Sequence, residues 1–327
     1  MKRSLKWISA IILVILILTI IAGIYLKTSL PDVGSPENIK VELTPKRVER
    51  GKYLANSVMN CMGCHSAHAG NLFAFPDIPD SLGSGGDAYD KSIGYPGLAY
   101  VPNITPFNLK NWTDGELFRA ITMGVRKDGT VLYPLMPWRN FSNMSREDVY
   151  AIIAYLRTLK PIERAYPARK LDFPQNFLVN TYPQKASLSG PPDMRDTVKY
   201  GAYLVAMADC AFCHTVKKGM DFAGGYDFPI SAFMHVHSAN ITPDKATGIG
   251  LWTKSMFVSR FTLYADSARK PWKVKNGEFQ TMMPWWNYGG MSKTDLEAIY
   301  SYLRTVKPVK NTVVKFTVNK GQQVASN

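Results

Sequence analysis

The cysteines of this chain stand in a repeated pattern that could bind a cofactor covalently. All four belong to two copies of Cys-x-x-Cys-His, at residues 61–65 and 210–214. This is the attachment pattern of c-type haem, in which two thiols form thioethers with the vinyl groups and the adjacent imidazole can coordinate iron. Disulfides do not require the histidine, a zinc ribbon has closer cysteine pairs, and a thioredoxin-like dithiol needs one pair. The sequence therefore predicts two covalently bound haem c groups, held by Cys61, Cys64 and His65 and by Cys210, Cys213 and His214.

The segments around the two motifs recur in the same order along the chain. Asn-Ile-Thr-Pro stands at 103–106 and 240–243, Trp-Thr at 112–113 and 252–253, Met-Pro-Trp at 136–138 and 283–285, and Leu-Arg-Thr-x-Lys-Pro at 156–161 and 303–308. So long a period indicates a duplicated domain and not a short-period solenoid. We therefore predict units over residues 46–162 and 196–312, joined by a proline-rich linker over 163–195 and followed by a tail over 313–327.

The last helix of each unit can be predicted from its sequence. A serine precedes an acidic residue by three positions, which predicts a capping box, and apolar residues follow at helical spacing up to a proline. The serine and acid pairs are Ser145 with Asp148 and Ser292 with Asp295. We also predict a short helix before each haem motif, crossing the last helix closely where a glycine admits an aromatic side chain. The glycine and tyrosine pairs are Gly51 with Tyr155 and Gly201 with Tyr302.

The N-terminus contains an uncharged run rich in isoleucine and leucine, residues 7–26. As a helix it can cross roughly 30 Å of hydrocarbon. A retained anchor is favoured over a cleaved signal, because cleavage near Ala22 or Gly23 would place an isoleucine at the −3 position. Three basic residues precede the run and only Lys27 directly follows it. We therefore predict a single-pass protein of the cytoplasmic membrane, with residues 1–6 cytoplasmic and the remainder, beginning with a stalk over 27–45, on the outer, periplasmic face.

The charge of the chain is strongly basic. Lys and Arg number 39 against 25 Asp and Glu, a formal net charge of +14. Such a charge favours acidic partner surfaces and anionic lipid headgroups, although scattered lysines that serve solubility would give the same total. No nucleic-acid recognition motif accompanies the charge, so a nucleic-acid partner is not predicted.

Four repeated features together resemble class I cytochrome c domains: the haem motif, the Asn-Ile-Thr-Pro loop, the Met-Pro dipeptide and the capped last helix ending in Leu-Arg-Thr-x-Lys-Pro. They are similar in particular to diheme cytochromes and to the membrane-bound cytochrome subunits of bacterial alcohol, aldehyde and gluconate dehydrogenases. The resemblance covers roughly residues 46–312. It implies a mainly α fold, with an N-terminal transmembrane helix followed by two tandem class I cytochrome c domains.

The same resemblance assigns the sixth iron ligand to the methionine of each Met-Pro-Trp turn, Met136 and Met283. Each lies about 70 residues after its histidine, and thioether ligation raises the reduction potential. The predicted iron ligands are therefore His65, Met136, His214 and Met283. Met282 is an alternative to Met283, but Leu135 stands in its place in the first unit. His235 and His237 could replace Met283 or bind an adventitious metal, and a polar loop is the reading that we prefer.

Other residues are predicted to lie near the haem edges. His68 reads as a surface residue or a neighbour of a propionate. Asn103, Asn240, Trp112 and Trp252 could donate hydrogen bonds to propionates, with core and loop contacts as the alternative. Under the first reading, Asn103→Ala would shift the midpoint potential of the first haem.

The leading functional hypothesis is an electron carrier with two low-spin His/Met haems, which is not itself an enzyme. Its donor and acceptor would be redox proteins: a dehydrogenase, a quinol-oxidising complex or a terminal oxidase. The alternative is that the chain is the electron-transfer subunit of a dehydrogenase complex. A diheme peroxidase is the less favoured alternative, because it needs an open coordination position, and no output module of a redox sensor is visible.

Overall fold

The computed structural model describes residues 2–190, 192–265 and 269–318. The linker residue Pro191 and residues 319–327 of the predicted tail lie outside this description. The described chain is mainly helical, as predicted, with short strands in two small sheets. One buried core cluster contains residues of both units, among them Leu54, Met62, Leu204 and Leu296. The two units therefore share a common hydrophobic core.

The predicted apolar run forms α1 (Lys2–Thr28), most of whose large apolar side chains are exposed. Among the described residues it is the one helix long and apolar enough to cross a membrane. The stalk that follows does not stand free, because Val33 and Val41 are buried and Glu37 forms an ion pair with Arg146 at 2.8 Å. The segment after α1 therefore lies along the first unit.

The first unit is built from helices around its haem motif. They are α2 (Pro45–Tyr53), continued by a π-helical turn over Leu54–Val58, α3 (Met62–His65), α4 (Pro106–Leu109), α5 (Asp114–Met123), α6 (Trp138–Phe141) and α7 (Arg146–Thr158). Short 3-10 turns cover Pro79–Ser81 and Lys91–Ile93. Strands β1 (Ala88–Tyr89) and β2 (Gly97–Tyr100) pair antiparallel. In the linker, β3 (Lys170–Leu171) adds to β2, and α8 (Gln175–Leu178) continues as a 3-10 turn, Val179–Thr181.

The second unit follows the same order. Its helices are α9 (Thr197–Met207), α10 (Cys210–His214), α11 (Lys254–Thr262), α12 (Trp285–Tyr288) and α13 (Lys293–Leu303). Its antiparallel sheet contains β4 (Asp227–Pro229), β5 (Met234–His237) and β6 (Phe316–Val318). The predicted tail thus begins as a paired strand.

The predicted close helix crossing is confirmed in both units. A Cβ atom on Gly51 of α2 would overlap the carbonyl oxygen of Ala151 in α7, with Tyr155 Cβ at 2.9 Å. In the second unit, a Cβ atom on Gly201 would overlap the carbonyl of Ala298 and lie 3.0 Å from Tyr302 Cβ. Only a residue without a side chain allows these backbones to approach so closely.

The predicted capping boxes are half correct. The hydroxyls of Ser145 and Ser292 accept the backbone N–H of Asp148 and Asp295, each at 3.1 Å. The two carboxylates do not return to the cap and instead bind side chains described below. A complete capping box forms at α5, between Thr113 and Glu116. The acids of the last helices are therefore used in tertiary contacts.

In each unit, a tyrosine donates a hydrogen bond to the last helix of the other unit. Tyr53 of the first unit donates to Asp295 Oδ2 at 2.6 Å, and Tyr203 of the second unit donates to Asp148 Oδ2 at 2.7 Å. These tyrosines hold matching positions in the repeat. The remaining carboxylate bonds come from Tyr200, at 2.9 Å to Asp295, and from Arg50, whose Nε lies 2.8 Å from Asp148. A reciprocal exchange of hydrogen bonds thus joins the two units.

Candidate functional site

The two motif histidines are held in the same way. His65 ends α3, and its Nδ1 donates to the carbonyl of Pro102 at 2.8 Å. His214 ends α10, and its Nδ1 donates to the carbonyl of Ala239 at 2.7 Å. Because a carbonyl can only accept, the proton lies on Nδ1 and Nε2 keeps its lone pair. Burial lowers the pKa of both imidazoles, so they are neutral and suited to ligate iron through Nε2.

The backbone carbonyl of each motif histidine accepts a hydrogen bond from a glycine that was not predicted from the sequence. The N–H of Gly85 donates to the His65 carbonyl and that of Gly224 to the His214 carbonyl, both at 2.8 Å. Both glycines have positive φ, 68° and 71°, and a Cβ on Gly85 would overlap the Val101 carbonyl. A signal existed, because Gly-Gly precedes Asn-Ile-Thr-Pro in both halves.

The four cysteines are free thiols and form no disulfide. Burial raises the pKa of Cys61 and of Cys210 to about 12, so both thiols are held protonated. The residues before the motifs, Asn60 and Asp209, have left-handed backbones with φ of 52° and 50°. Each motif thus begins from the same backbone geometry, with unpaired sulfurs available for thioether formation.

The two predicted methionine ligands stand before matching short helices. Met136 precedes α6 and Met283 precedes α12, and both side chains are partly buried against the core cluster. By contrast, Met282 is 47% exposed. Leu135, which stands in the matching place of the first unit, is 37% exposed. This burial supports Met283 rather than Met282 as the ligand.

The two haem motifs adjoin each other across the interface. Asn140, four residues after Met136, donates to Asp209 Oδ1 at 2.6 Å, directly before the second motif. Burial raises the pKa of Asp209 to about 6, against the opposing effect of this hydrogen bond. Burial, followed by the nearby Asp209 and Cys64, raises the pKa of Cys213 to about 12. The first unit thus contacts the residue that directly precedes the second haem motif.

The remaining histidines are engaged with carboxylates. His68 lies 3.0 Å from Asp87 and 3.5 Å from Asp77, and these acids raise its pKa to about 10. His235 and His237 lie on β5 rather than in the expected polar loop, at 2.9 Å and 3.6 Å from Asp227. In the part of the chain that the structure describes, no group of three His, Cys, Asp or Glu residues could hold a metal ion.

Asn103 and Asn240 make the core and loop contacts that were the alternative to bonds with propionates. Both amide protons of Asn103 are used, on the carbonyls of Ile162 at 2.8 Å and Arg164 at 3.0 Å. Asn240 donates to the Val309 carbonyl at 2.8 Å and to Thr247 at 3.0 Å. These buried amides bind the segment after the last helix. They follow directly on Pro102 and Ala239, whose carbonyls accept the hydrogen bonds of the motif histidines. Trp112 and Trp252 border the core cluster, and their contact with propionates stays a prediction.

This donor set fits haem c in both units. Each unit offers an unpaired Cys-x-x-Cys, a neutral imidazole with a free Nε2 and a partly buried thioether, which together are the groups that the cofactor requires. Each unit therefore contains the types of side chain that would hold a haem c.

Comparisons with known proteins agree with this chemistry. A sequence model of the cytochrome c family matches residues 48–160 and 198–307. The cytochrome c subunit of a quinone alcohol dehydrogenase from Gluconacetobacter polyoxogenes is 27% identical over 293 residues, covering 83% of this chain and 58% of the relative. The gluconate 2-dehydrogenase cytochrome c subunit of Pantoea cypripedii is 39% identical over 231 residues, covering 63% and 48%. A diheme cytochrome c-type protein of Cereibacter sphaeroides is 30% identical over 173 residues, covering 48% and 55%.

The chain spans about half the length of the curated relatives that it matches. The family match nevertheless covers most of this chain and includes both Cys-x-x-Cys-His motifs. With two such matches in tandem and a donor set for haem c in each, the chain belongs to the cytochrome c family.

Proposed function

We propose that this chain is a diheme electron carrier that passes single electrons between a donor and an acceptor protein. The observation that carries the proposal is the repeated histidine geometry, in which each motif imidazole is buried, neutral and fixed by a backbone carbonyl at 2.7–2.8 Å. Haem c supplies one-electron chemistry between ferrous and ferric iron. The residues of this chain set its attachment, ligation and burial.

Each group has a distinct role in this proposal. Cys61, Cys64, Cys210 and Cys213 attach the two cofactors, and His65 and His214 bind iron through Nε2. Met136 and Met283 close the sixth position with sulfur, which favours ferrous iron and excludes exogenous ligands. Both positions are matched by a methionine that lies against the core, and this supports electron transfer rather than peroxide turnover.

The interface supports exchange of electrons within the chain. Asp209, which directly precedes the second motif, accepts a hydrogen bond from Asn140 of the first unit at 2.6 Å. Hydrogen bonds between the units involve buried carboxylates, so the relative position of the two motifs is fixed. An electron that enters one unit can therefore pass to the other without an encounter between two molecules.

We further propose that α1 anchors the chain in the cytoplasmic membrane, with the haem units on the outer face. The basic residues before the apolar run support this orientation, because positively charged residues are enriched on the cytoplasmic side of a membrane helix. Similarity to cytochrome subunits of alcohol and gluconate dehydrogenases suggests a membrane-bound dehydrogenase as the electron donor. The net charge of +14 favours an acidic docking face on the acceptor.

Haem stoichiometry and ligation in the purified full-length protein test the proposal. We expect two haems per chain in a pyridine hemochrome assay, and one haem in Cys61→Ala/Cys64→Ala and in Cys210→Ala/Cys213→Ala. Magnetic circular dichroism of the oxidised protein should show two methionine-to-iron bands, and potentiometric titration should show two one-electron steps. A high-spin resting haem together with peroxide turnover would instead identify an enzyme and overturn the proposal.

A further inference from the structure

A loop of the first unit lies against the segment of the second unit that precedes Met283. Phe73 is buried in this contact and stacks on Trp272, with ring centroids 4.3 Å apart. Its N–H donates to the Trp272 carbonyl at 2.9 Å, and the N–H of Val274 donates to the Asn71 carbonyl at 3.0 Å. The contact therefore combines aromatic stacking with backbone pairing across the two units.

Gln280 links this loop to the Met283 turn. Its side chain is buried, and the residue is 3% exposed. Its Nε2 donates to the Leu72 carbonyl at 2.9 Å, while its Oε1 accepts the N–H groups of Ala74 at 2.8 Å and Thr281 at 3.0 Å. The hydroxyl of Thr281 in turn accepts the N–H of Met283 at 3.1 Å. One amide side chain thus connects two backbone groups of the first unit to the turn that carries the methionine.

Trp286 makes a second connection on the other side of the methionine. Its indole Nε1 donates to the Phe73 carbonyl at 2.7 Å. Gln280 and Trp286 stand three residues before and three residues after Met283. The turn is therefore tied at both ends to residues 72–74 of the first unit.

The matching turn of the first unit is held differently. Tyr133 and Arg139 stand at the corresponding positions around Met136. Tyr133 contacts Tyr95 of its own unit and Tyr182 of the linker, and the indole of Trp138 donates to the Leu132 carbonyl at 3.3 Å. The residues on either side of Met136 are held by their own unit and by the linker, and the bond to the second unit comes from Asn140 of the following helix, which donates to Asp209. Hydrogen bonds to the neighbouring unit from both sides of the methionine, through Gln280 and Trp286, are thus a feature of the second site.

We propose that the first unit's loop 71–74 positions the Met283 sulfur at the iron of the second haem, with Gln280 and Trp286 as positioning residues. The inference rests on the proposed ligand role of Met283. Thioether ligation is weak enough that a turn free to move would release the iron to other ligands and lower its potential. Fixing the turn to the neighbouring unit keeps the second haem six-coordinate only in the assembled two-unit chain.

The test uses the full chain with both haems and the variants Gln280→Met and Trp286→Phe. Gln280→Met keeps a side chain of similar length but removes all three hydrogen bonds, and Trp286→Phe removes only the indole donor. In Gln280→Met we expect imidazole to bind the second haem about tenfold more tightly than in the wild type. A tenfold loss of Met283 preference for ferrous over ferric iron would lower that midpoint potential by about 59 mV. Trp286→Phe should give the same change to a smaller extent.

Two controls distinguish positioning from general loosening. The first haem of the same molecule should keep its methionine band and midpoint potential. Gln184→Met, the same substitution at an exposed position of the linker, should change neither haem. Haem content is measured for every variant, and if Gln280→Met loses haem, then Trp286→Phe decides the question.

The proposal is overturned if the second haem keeps its wild-type methionine band, midpoint potential and imidazole affinity in Trp286→Phe. The same must hold in Gln280→Met, provided that this variant retains its haem. Equal changes at both haems would also overturn it, because they would show a global effect. Met283→Leu separates the two hypotheses. If that substitution leaves both methionine bands intact, the ligand role itself fails. If it removes one band while Gln280→Met leaves the potential and the imidazole affinity of the second haem unchanged, only the positioning role fails.

Discussion

Tyr53→Phe should destabilise the protein at the contact between its two units. The Tyr53 hydroxyl donates to Asp295 at 2.6 Å and accepts the N–H of Ser292 at 3.0 Å. Asp295 is 3% exposed, and its other oxygen accepts the hydroxyl of Tyr200 at 2.9 Å. The substitution therefore leaves a buried carboxylate with a single phenol, and it also removes the acceptor of a backbone N–H at the start of α13.

The expected loss of stability depends on which hydrogen-bond donors remain on each carboxylate after the substitution. A hydrogen bond to a charged group contributes about 1.5–3 kcal/mol, so Tyr53→Phe should lower the free energy of unfolding by about 2–3 kcal/mol. Tyr203→Phe makes the corresponding change at Asp148, which keeps Arg50 at 2.8 and 3.0 Å. Because a guanidinium remains there, we expect a loss of about 1 kcal/mol.

Urea unfolding of the haem-loaded protein, followed by circular dichroism and by Soret absorbance, measures both losses. Tyr182→Phe is the matched control, since its hydroxyl donates to the neutral side chain of Gln175 at 2.8 Å. It should cost about 0.5 kcal/mol. The reasoning is refuted if Tyr53→Phe costs no more than this control, or if Tyr203→Phe costs as much as Tyr53→Phe.

Three further substitutions address other contacts. Gly51→Ala would place a methyl group on the Ala151 carbonyl, so urea unfolding should show that the free energy of unfolding falls by about 2 kcal/mol or more. Gly70 has open space around it, so Gly70→Ala should leave the free energy of unfolding nearly unchanged. Two aspartates raise the pKa of His68 from 6.5 to about 10, so its contribution to stability should be complete below pH 6.5 and disappear as the pH rises through 10. His68→Gln should remove this part of the stability profile between pH 6 and 10; an unchanged profile would contradict it. Asn103→Ala should cost about 3 kcal/mol, while a shift in haem potential without loss of stability would restore the propionate role.

The sequence by itself determined the chemistry and the duplication of this protein. Covalent haem attachment depends on five consecutive residues, so Cys61–His65 and Cys210–His214 could be recognised without any knowledge of the fold. The capped last helices and their close crossing at Gly51 and Gly201 were also predictable, because hydroxyl caps, helical periodicity and glycine positions are local signals repeated in both halves.

Tertiary structure alone decided how these local groups are used. Asp148 has the spacing of a capping-box acid, yet it binds Arg50 and Tyr203, because a buried carboxylate is better satisfied by a guanidinium and a phenol than by its own helix terminus. Asn103 has the donors of a propionate partner but uses them on backbone carbonyls about 60 residues away in the chain. The connection from Gln280 to residues 72 and 74 spans more than 200 residues. No local pattern encodes such pairings, since they arise only when the two units are folded against each other.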